Sequence, residues 1–465
     1  MAKLLQSKEI NLLEGPLFGK IFRFVLPLMI TNLLQVFYSA ADMIIVGLSG
    51  VDGAIGAIGT TGAMINLILN LCMGFSVGAN VVVARNIGKG DREATSHAVH
   101  TSLLMGLLLG IVCGVLGFFC CHGILAWLGD EGHILALATL YCKIYFAGAP
   151  FLALSNYLIA ILRAKGDTKT PLFILTGTGL LNVGLNLLFV LVFRMSVDGV
   201  ALATVLSNAV STLLLAIVLM RDNGWCRLSL KKLKPEKGSF REILKVGVPA
   251  GLQGAVFSLS NMLIQSSIIG INNTLCPGGS DVIDGNAAAG NLEGFAYVAT
   301  NSVHQAAVTF TSQHYGAGKF KRIGRVMLNC YAVTFLISTI CTLVLTLLRS
   351  PLIGLYVDAP LAVETAELRT FLMIIPYFLL AFMEVGSGIL RGLGKSLTST
   401  VISLLGCCAL RILWLATIFQ LSPTLETVYL SYPVSWLITA SCHFLFSETT
   451  RRRCLKKQQQ AAVEA

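Results

Sequence analysis

The chain has 465 residues, a formal charge of +11 and a mean hydropathy of +0.78, and only 12% of its residues are charged. A soluble chain of this size carries about 25% charged residues, so a soluble enzyme or a nucleic-acid-binding protein is excluded. Apolar windows of about 20 residues recur along most of the length and define an all-α integral membrane protein. The stretch from Met1 to Gly15 is polar and offers no cleavable signal peptide.

Twelve spans are predicted, at 17–47, 54–83, 96–120, 134–161, 171–193, 198–220, 243–271, 285–312, 325–348, 362–389, 398–420 and 426–447. Span 1 holds Asp42, and helical steps back from it reach Tyr38, Gln35 and Thr31 on one face. A carboxylate in hydrocarbon is costly, so that face lines a wet cavity or a partner helix rather than lipid. Pro27 removes a helix hydrogen bond in span 1, as Pro249 does in span 7, giving either a hinge or a static kink. Span 5 places Asn182 and Asn186 one turn apart, and span 6 adds Thr204. Amide and hydroxyl oxygens opposite a carboxylate can replace a cation's hydration shell; the alternative is hydrogen bonding between helices. Span 8 carries Glu293 with Tyr297, Thr300 and His304 on its face, which reads as a cavity wall. His304 is either a proton shuttle or a hydrogen-bonded packing histidine. Span 10 carries Tyr377 and Glu384 one heptad apart. Arg411 in span 11 reads as the one deeply placed arginine, so Glu384 either lines the cavity or pairs with Arg411.

Most of the 34 Lys and Arg residues fall on one side of these spans: beside span 1 (Lys3, Lys8, Lys20, Arg23), after spans 2, 4, 8 and 10, between Arg221 and Lys245, and after Glu448. The opposite side has acidic or neutral loops, such as 129–132 and 272–284. The positive-inside rule then puts both termini in the cytoplasm of a plasma (inner) membrane protein. The two halves echo each other. Ile161-Leu-Arg-Ala-Lys-Gly166 matches Ile389-Leu-Arg-Gly-Leu-Gly394 at an offset of 228, Gly88-Lys-Gly90 matches Gly316-Ala-Gly318 at the same offset, Pro27 matches Pro249 at 222, and Pro150 matches Pro376 at 226. Six spans per repeat gives both halves the same orientation, related by a pseudo-two-fold axis along the membrane normal. The division is an N-lobe at 1–220, a basic cytoplasmic linker at 221–242, a C-lobe at 243–448 and a basic tail at 449–465.

Thirteen cysteines show no Cys-x-x-Cys spacing and suggest no disulfide framework. No complete Gly-x-x-x-x-Gly-Lys-Ser/Thr phosphate loop and no His-Glu-x-x-His occurs, so no enzyme and no cofactor are expected, and uphill transport would draw on an ion gradient.

Taken in order, Pro27 with Ala41-Asp42 and Val46-Gly47, the Ala84-Arg-Asn-Ile-Gly-Lys-Gly-Asp91 loop, Leu162-Arg-Ala-Lys-Gly-Asp167, Asn182 to Asn186 and Gly199-Val-Ala-Leu-Ala-Thr204 resemble the multidrug and toxic compound extrusion (MATE) family across nearly the whole chain. The resemblance implies two six-helix lobes around a central cavity. It implies export of drugs and organic cations in exchange for protons or sodium, with a monomer sufficing. It also implies a coupling site at Asp42, Asn182 and Thr204, whose fourth position is an acid in the family and Asn186 here. That change removes a carboxylate that sodium would favour and points to a proton; Glu293 resembles a C-lobe acid of some members. Lipid-linked oligosaccharide flippases of the same superfamily share the lobe architecture. They usually run to fourteen spans with cationic cavities, so twelve spans and intramembrane acids favour the antiporter.

Overall fold

The computed structural model describes residues 10–127 and 132–464, the side chains of 55, 63, 67, 259 and 462–464 excepted. Lys3, Lys8 and the acidic turn at 129–132, apart from Gly132, lie outside the described residues. Among the described residues there are long helices and no strands. The helices are α1 (Leu17–Gly47), α2 (Ala54–Lys89), α3 (Arg92–Trp127), α4 (Gly132–Ala147), α5 (Ala149–Ala164), α6 (Lys169–Leu187), α7 (Val197–Met220), α8 (Lys237–Leu275), α9 (Asp281–Gly316), α10 (Phe320–Leu347), the short α11 (Arg349–Ile353), α12 (Pro360–Ile374), α13 (Tyr377–Gly392), α14 (Ser396–Ser403), α15 (Leu410–Ala416), α16 (Ile418–Leu421) and α17 (Leu425–Glu464).

Among the described residues, eight helices are long and apolar enough to cross a bilayer, the run 396–421 (α14 to α16) counting as one. There are ten if α4 with α5 and α12 with α13 each form one bent span. The two bends measure 48° and 49°. Each sits at a proline that cannot donate to the helix ladder, Pro150 at the start of α5 and Pro376 capping α13. Two further long helices complete twelve segments. Polar side chains within the segments, among them Asn301, His304 and Gln305 in α9 and Ser431, Ser435 and His443 in α17, lower their apolarity. Inside the first bend, α3 turns glycines toward α5: a Cβ on Gly110 would overlap the Pro150 backbone, so the close approach depends on its absence.

The chain divides into two compact units. One comprises residues 1–11 and 30–251, the other 12–29 and 252–465. The division cuts α1 between Met29 and Ile30 and α8 between Gly251 and Leu252, positions that differ by the same 222 residues as Pro27 and Pro249. The first unit's core joins Val82 and Val83 of α2, Val99 of α3, Tyr157 and Leu158 of α5 and Leu215 of α7. The second unit's core joins Ile264, Leu292, Met373, Tyr429 and Trp436.

The repeat is visible in backbone geometry as well as in sequence. Gly90 and Gly318 both adopt left-handed φ, +76° and +67°, and so do Gly166 and Gly394, +94° and +78°. Each glycine ends a helix with the same pair of bonds. Gly166 N donates to Arg163 O and Asp167 N to Leu162 O, as Gly394 N donates to Arg391 O and Lys395 N to Leu390 O, all at 2.9 Å. The connection between the halves is shorter than the sequence suggests: 237–242 belong to α8, and 221–236 is docked rather than loose. Ser229 N donates to His100 Nε2 (3.0 Å) and Glu236 N to Thr101 Oγ1 (3.0 Å), both on α3.

Candidate functional site

In the first unit the polar face of α1 meets α6. Tyr38 donates its hydroxyl to Thr176 O (3.2 Å), and its ring lies so close to Gly179 that a Cβ there would overlap it. One turn further along α1, Asp42 Oδ1 accepts from Asn186 Nδ2 (2.5 Å). The amides continue the path: Asn186 Nδ2 also reaches Asn182 Oδ1 (3.4 Å), Asn182 Nδ2 donates to Thr204 Oγ1 (3.4 Å), and Thr204 donates to Val200 O (3.0 Å). Asn186 is fully buried, and its Oδ1 has no hydrogen-bond partner among the described residues. Directly after it, α6 loosens into a π-helical turn at Leu188–Val192. Gln35 is exposed.

The second unit holds two separate polar clusters. In the first, Arg369 of α12 grips Glu293 of α9 with two parallel bonds, Nε to Oε1 (2.7 Å) and NH2 to Oε2 (2.8 Å). Arg369 NH1 also donates to Asn286 O (3.2 Å) and Oδ1 (2.5 Å), and Tyr429 OH joins Asn286 Oδ1 (3.2 Å). Tyr377 OH donates to Glu293 O (3.3 Å). Both charged side chains are nearly buried, at 13% and 12% exposure. Glu293 is therefore one half of an ion pair rather than a bare acid.

In the second cluster, His304 Nδ1 lies 2.8 Å from Glu384 O and 3.4 Å from Glu384 Oε2, and Arg391 NH1 lies 3.3 Å from His304 Nε2. A guanidinium has only donors, so Nε2 accepts and Nδ1 carries the proton donated to Glu384 O. These contacts tie His304 of α9 to Glu384 and Arg391 of α13 through both ring nitrogens. Arg391 NH2 donates to Gln253 Oε1 (2.9 Å).

The alternative pairing of Glu384 with Arg411 is not formed. Arg411 donates to Ser435 Oγ (2.9 Å) and lies over the Tyr432 ring, 4.1 Å from its centroid. Nor is Arg411 the one deep arginine, since Arg369 and Arg391 are buried inside helices too. Glu293 and His304 share a helix face but not a site, because eleven residues separate them by about 16 Å along the axis. Tyr297 is 43% exposed and accepts from Asn301 Nδ2 (3.3 Å). Pro27 and Pro249 lie inside continuous α1 and α8.

Sequence reasoning missed Arg369, Arg391, Asn286 and Gln253. Arg369 was within reach of it. An arginine inside a span demands a buried partner, and Glu293 was in want of a counter-ion. Among the described residues no cysteine forms a disulfide. Among the described residues no three His, Cys, Asp or Glu side chains gather as a metal site.

Twelve membrane-crossing segments, a duplicated architecture and a carboxylate held by amides inside a span define a membrane-transporter fold. The MatE family profile matches residues 27–188 and 249–416, and the chain belongs to the MatE family. Three relatives carry drug-resistance names. The probable multidrug resistance protein YpnP of Bacillus subtilis is 26% identical over 97% of this chain and 99% of its own. The probable multidrug resistance protein NorM of Thermotoga maritima is 25% identical over 84% of each chain. The multidrug export protein MepA of Staphylococcus aureus (strain N315) is 26% identical over 84% of this chain and 85% of its own. An outward-facing multidrug resistance MATE family transporter superposes with a TM-score of 0.89 at 22% identity, covering 97% of this chain and 99% of that one. A transporter of the MOP superfamily from Pyrococcus furiosus superposes equally well, TM-score 0.89, over 96% and 99%. These likenesses give the twelve-helix, two-lobe fold.

Proposed function

We propose that the protein is a secondary active antiporter that exports amphipathic organic cations in exchange for protons. It works by alternating access, as a monomer, in the plasma (inner) membrane with both termini cytoplasmic. The names of its relatives support drugs as the substrate class. The observation that carries the coupling site is the contact of the half-buried Asp42 with the buried Asn186. An ionised Asp42 accepts the Asn186 amide N–H. Once a proton from outside neutralises it, Asp42 has an O–H to donate, and the unpartnered Oδ1 of Asn186 is the nearby acceptor. Rotation of that amide by half a turn satisfies both groups and withdraws the donor from Asn182 Oδ1. The change then passes along Asn182 and Thr204 to the Val200 carbonyl of α7. Span 1 responds by bending near Pro27, and Pro249 is the matching hinge in α8.

The bias required is modest: moving a two-state equilibrium from 1:99 to 99:1 takes about 5.5 kcal/mol of differential binding. The arrangement supports a proton over sodium. A sodium ion needs oxygens converging on it, and here the Asn186 NH2 stands between the oxygens of Asp42 and Asn182. Gln35, Tyr38, Tyr297, His304, Tyr377 and Glu384 remain as wall or positioning residues of the substrate path.

The test is transport in proteoliposomes. An imposed pH gradient, acid outside, drives ethidium out against its own gradient, and Asp42→Asn abolishes this at matched protein level. A sodium gradient at constant pH that drives efflux equally well, with the pH gradient inert, would overturn the proton assignment.

One observation favours the flippase reading: the second unit buries Arg369, Arg391 and Arg411, cations that suit a pyrophosphate-linked lipid. Glu293 cancels the first of these. Scrambling of a fluorescent lipid-linked sugar without dye efflux would decide for that reading.

A further inference from the structure

We propose that the pocket between the start of α10 and the end of α17 binds the phosphate of an anionic phospholipid headgroup. The pocket encloses about 550 Å³ and is lined by Gly318–Arg322 together with Leu455, Gln458 and Gln459. α10 is a 28-residue apolar crossing helix, so its first turn sits where hydrocarbon gives way to headgroups. α17 runs on past Glu448 into a polar, basic stretch, which places residues 455–459 outside the hydrocarbon.

The charges at this corner are the wrong sign for the helix alone. The N-terminal end of a helix carries partial positive charge and favours acids. The first turn of α10 has none, and Lys319, Lys321 and Arg322 crowd it instead. No carboxylate lines the pocket. Glu448, the acid on this part of α17, is already engaged by Arg451 (2.7 and 2.6 Å) and Arg452 (2.6 Å). Lys319 and Arg322 reach only the neutral carbonyls of Leu13 and Gly15, and Arg322 Nε is buried with no hydrogen-bond partner.

A phosphate oxygen set supplies what is missing: acceptors for the cations, for the Phe320 and Lys321 backbone N–H groups at the start of α10 and for the Gln459 amide. Inorganic phosphate and a lipid phosphodiester share that chemistry. Phe320 and Leu455, apolar members of the lining at the membrane surface, favour the lipid, whose glycerol and upper acyl carbons would cover them.

The test uses the full chain in detergent. Phosphatidylglycerol, phosphatidylcholine or inorganic phosphate is titrated, with bound lipid read by native mass spectrometry and stabilisation read by thermal unfolding. The pocket variant Lys319→Gln/Lys321→Gln/Arg322→Gln is expected to lose roughly a hundredfold in apparent affinity for phosphatidylglycerol. The linker variant Lys231→Gln/Lys232→Gln/Lys234→Gln removes the same charge elsewhere and is expected to lose less than about threefold. Equal losses in the two variants would reduce the effect to diffuse charge and overturn the site. Equal protection of the wild type by inorganic phosphate, or by phosphatidylcholine, would overturn the lipid assignment. Should the triple variant fail to fold, the exposed Lys321→Glu gives the same reading; unchanged phosphatidylglycerol affinity in it overturns the proposal.

Discussion

Replacing Arg369 by methionine strips Glu293 of a two-pronged counter-ion and takes one donor from each oxygen of Asn286, whose Oδ1 keeps its bond from Tyr429. Four bonds disappear, at 2.7, 2.8, 3.2 and 2.5 Å, between side chains that are 13% and 12% exposed. Removing one partner of such a buried pair costs about 3–5 kcal/mol, most of it the stranded charge. Glu293→Gln is milder, because Arg369 keeps its two bonds to Asn286; the loss of a charged hydrogen bond points to about 1.5–3 kcal/mol. Arg369→Met combined with Glu293→Leu removes both charges and is expected to recover most of the Arg369→Met deficit. Equilibrium unfolding in mixed micelles, followed by tryptophan fluorescence, ranks the variants. Trp436, one of four tryptophans, packs edge-on against Tyr377, whose hydroxyl bonds to Glu293, so part of the signal reports on the pair. Ethidium efflux by Glu293→Gln at matched protein level is expected to stay within about twofold of wild type, since the pair is structural. If Arg369→Met unfolds like wild type, or if the double variant is no better than Arg369→Met, the ion pair does not brace the second unit. Full loss of efflux in a stable Glu293→Gln protein would return Glu293 to the substrate path.

Asn186→Leu leaves Asp42 in place but removes its amide partner, and proton-driven efflux in proteoliposomes is expected to fall at least about tenfold with the fold intact. His304→Asn keeps a donor near Nδ1 and is expected to cost no more than about 1.5 kcal/mol in the same unfolding assay. His304→Lys sets a second cation beside Arg391 and is expected to cost about 3 kcal/mol or more. Gly179→Leu drives a side chain into the Tyr38 ring, and overpacking of that kind costs about 1–3 kcal/mol. On α17, hydrogen bonds from Arg451 first, and then Arg452, hold the Glu448 carboxyl down at about 2. A depressed folded-state value contributes stability that is fully present above the unfolded value of about 4.3 and is lost as pH falls through about 2. Amide protection across 448–455 is therefore expected to be flat from pH 8 to 5 and to drop below about pH 3.

The helices and their pairing by duplication were legible because an apolar background leaves few places to end a span, and Gly166 and Gly394 mark equivalent stops. The nearness of Asp42 to Asn182 and Asn186 was legible because each residue breaks an otherwise apolar face, and such faces are driven together out of lipid. Which neighbour each second-unit acid would face was not legible. Periodicity assigns Glu293, Tyr297 and His304 to one stripe of α9. It does not say that α12 brings Arg369 to its upper part while α13 brings Glu384 and Arg391 to its lower part. Arg391, two residues past the end read for span 10, belongs to the last turn of α13 and is buried, which periodicity does not reveal. The division of α1 at Met29 and Ile30 has no sequence signal beyond Pro27.

The forty residues of α17 form one uninterrupted helix whose last seventeen, from Glu448 to Glu464, lie beyond the span read at 426–447. At 1.5 Å per residue they extend about 25 Å past it. A rigid rod leaving a detergent belt at a fixed angle is what electron imaging of small membrane proteins lacks. A globular marker whose own first helix is spliced in register onto α17 after Gln460 would ride as a fixed fiducial, without touching the helices that carry Asp42, Asn182, Asn186 and Thr204.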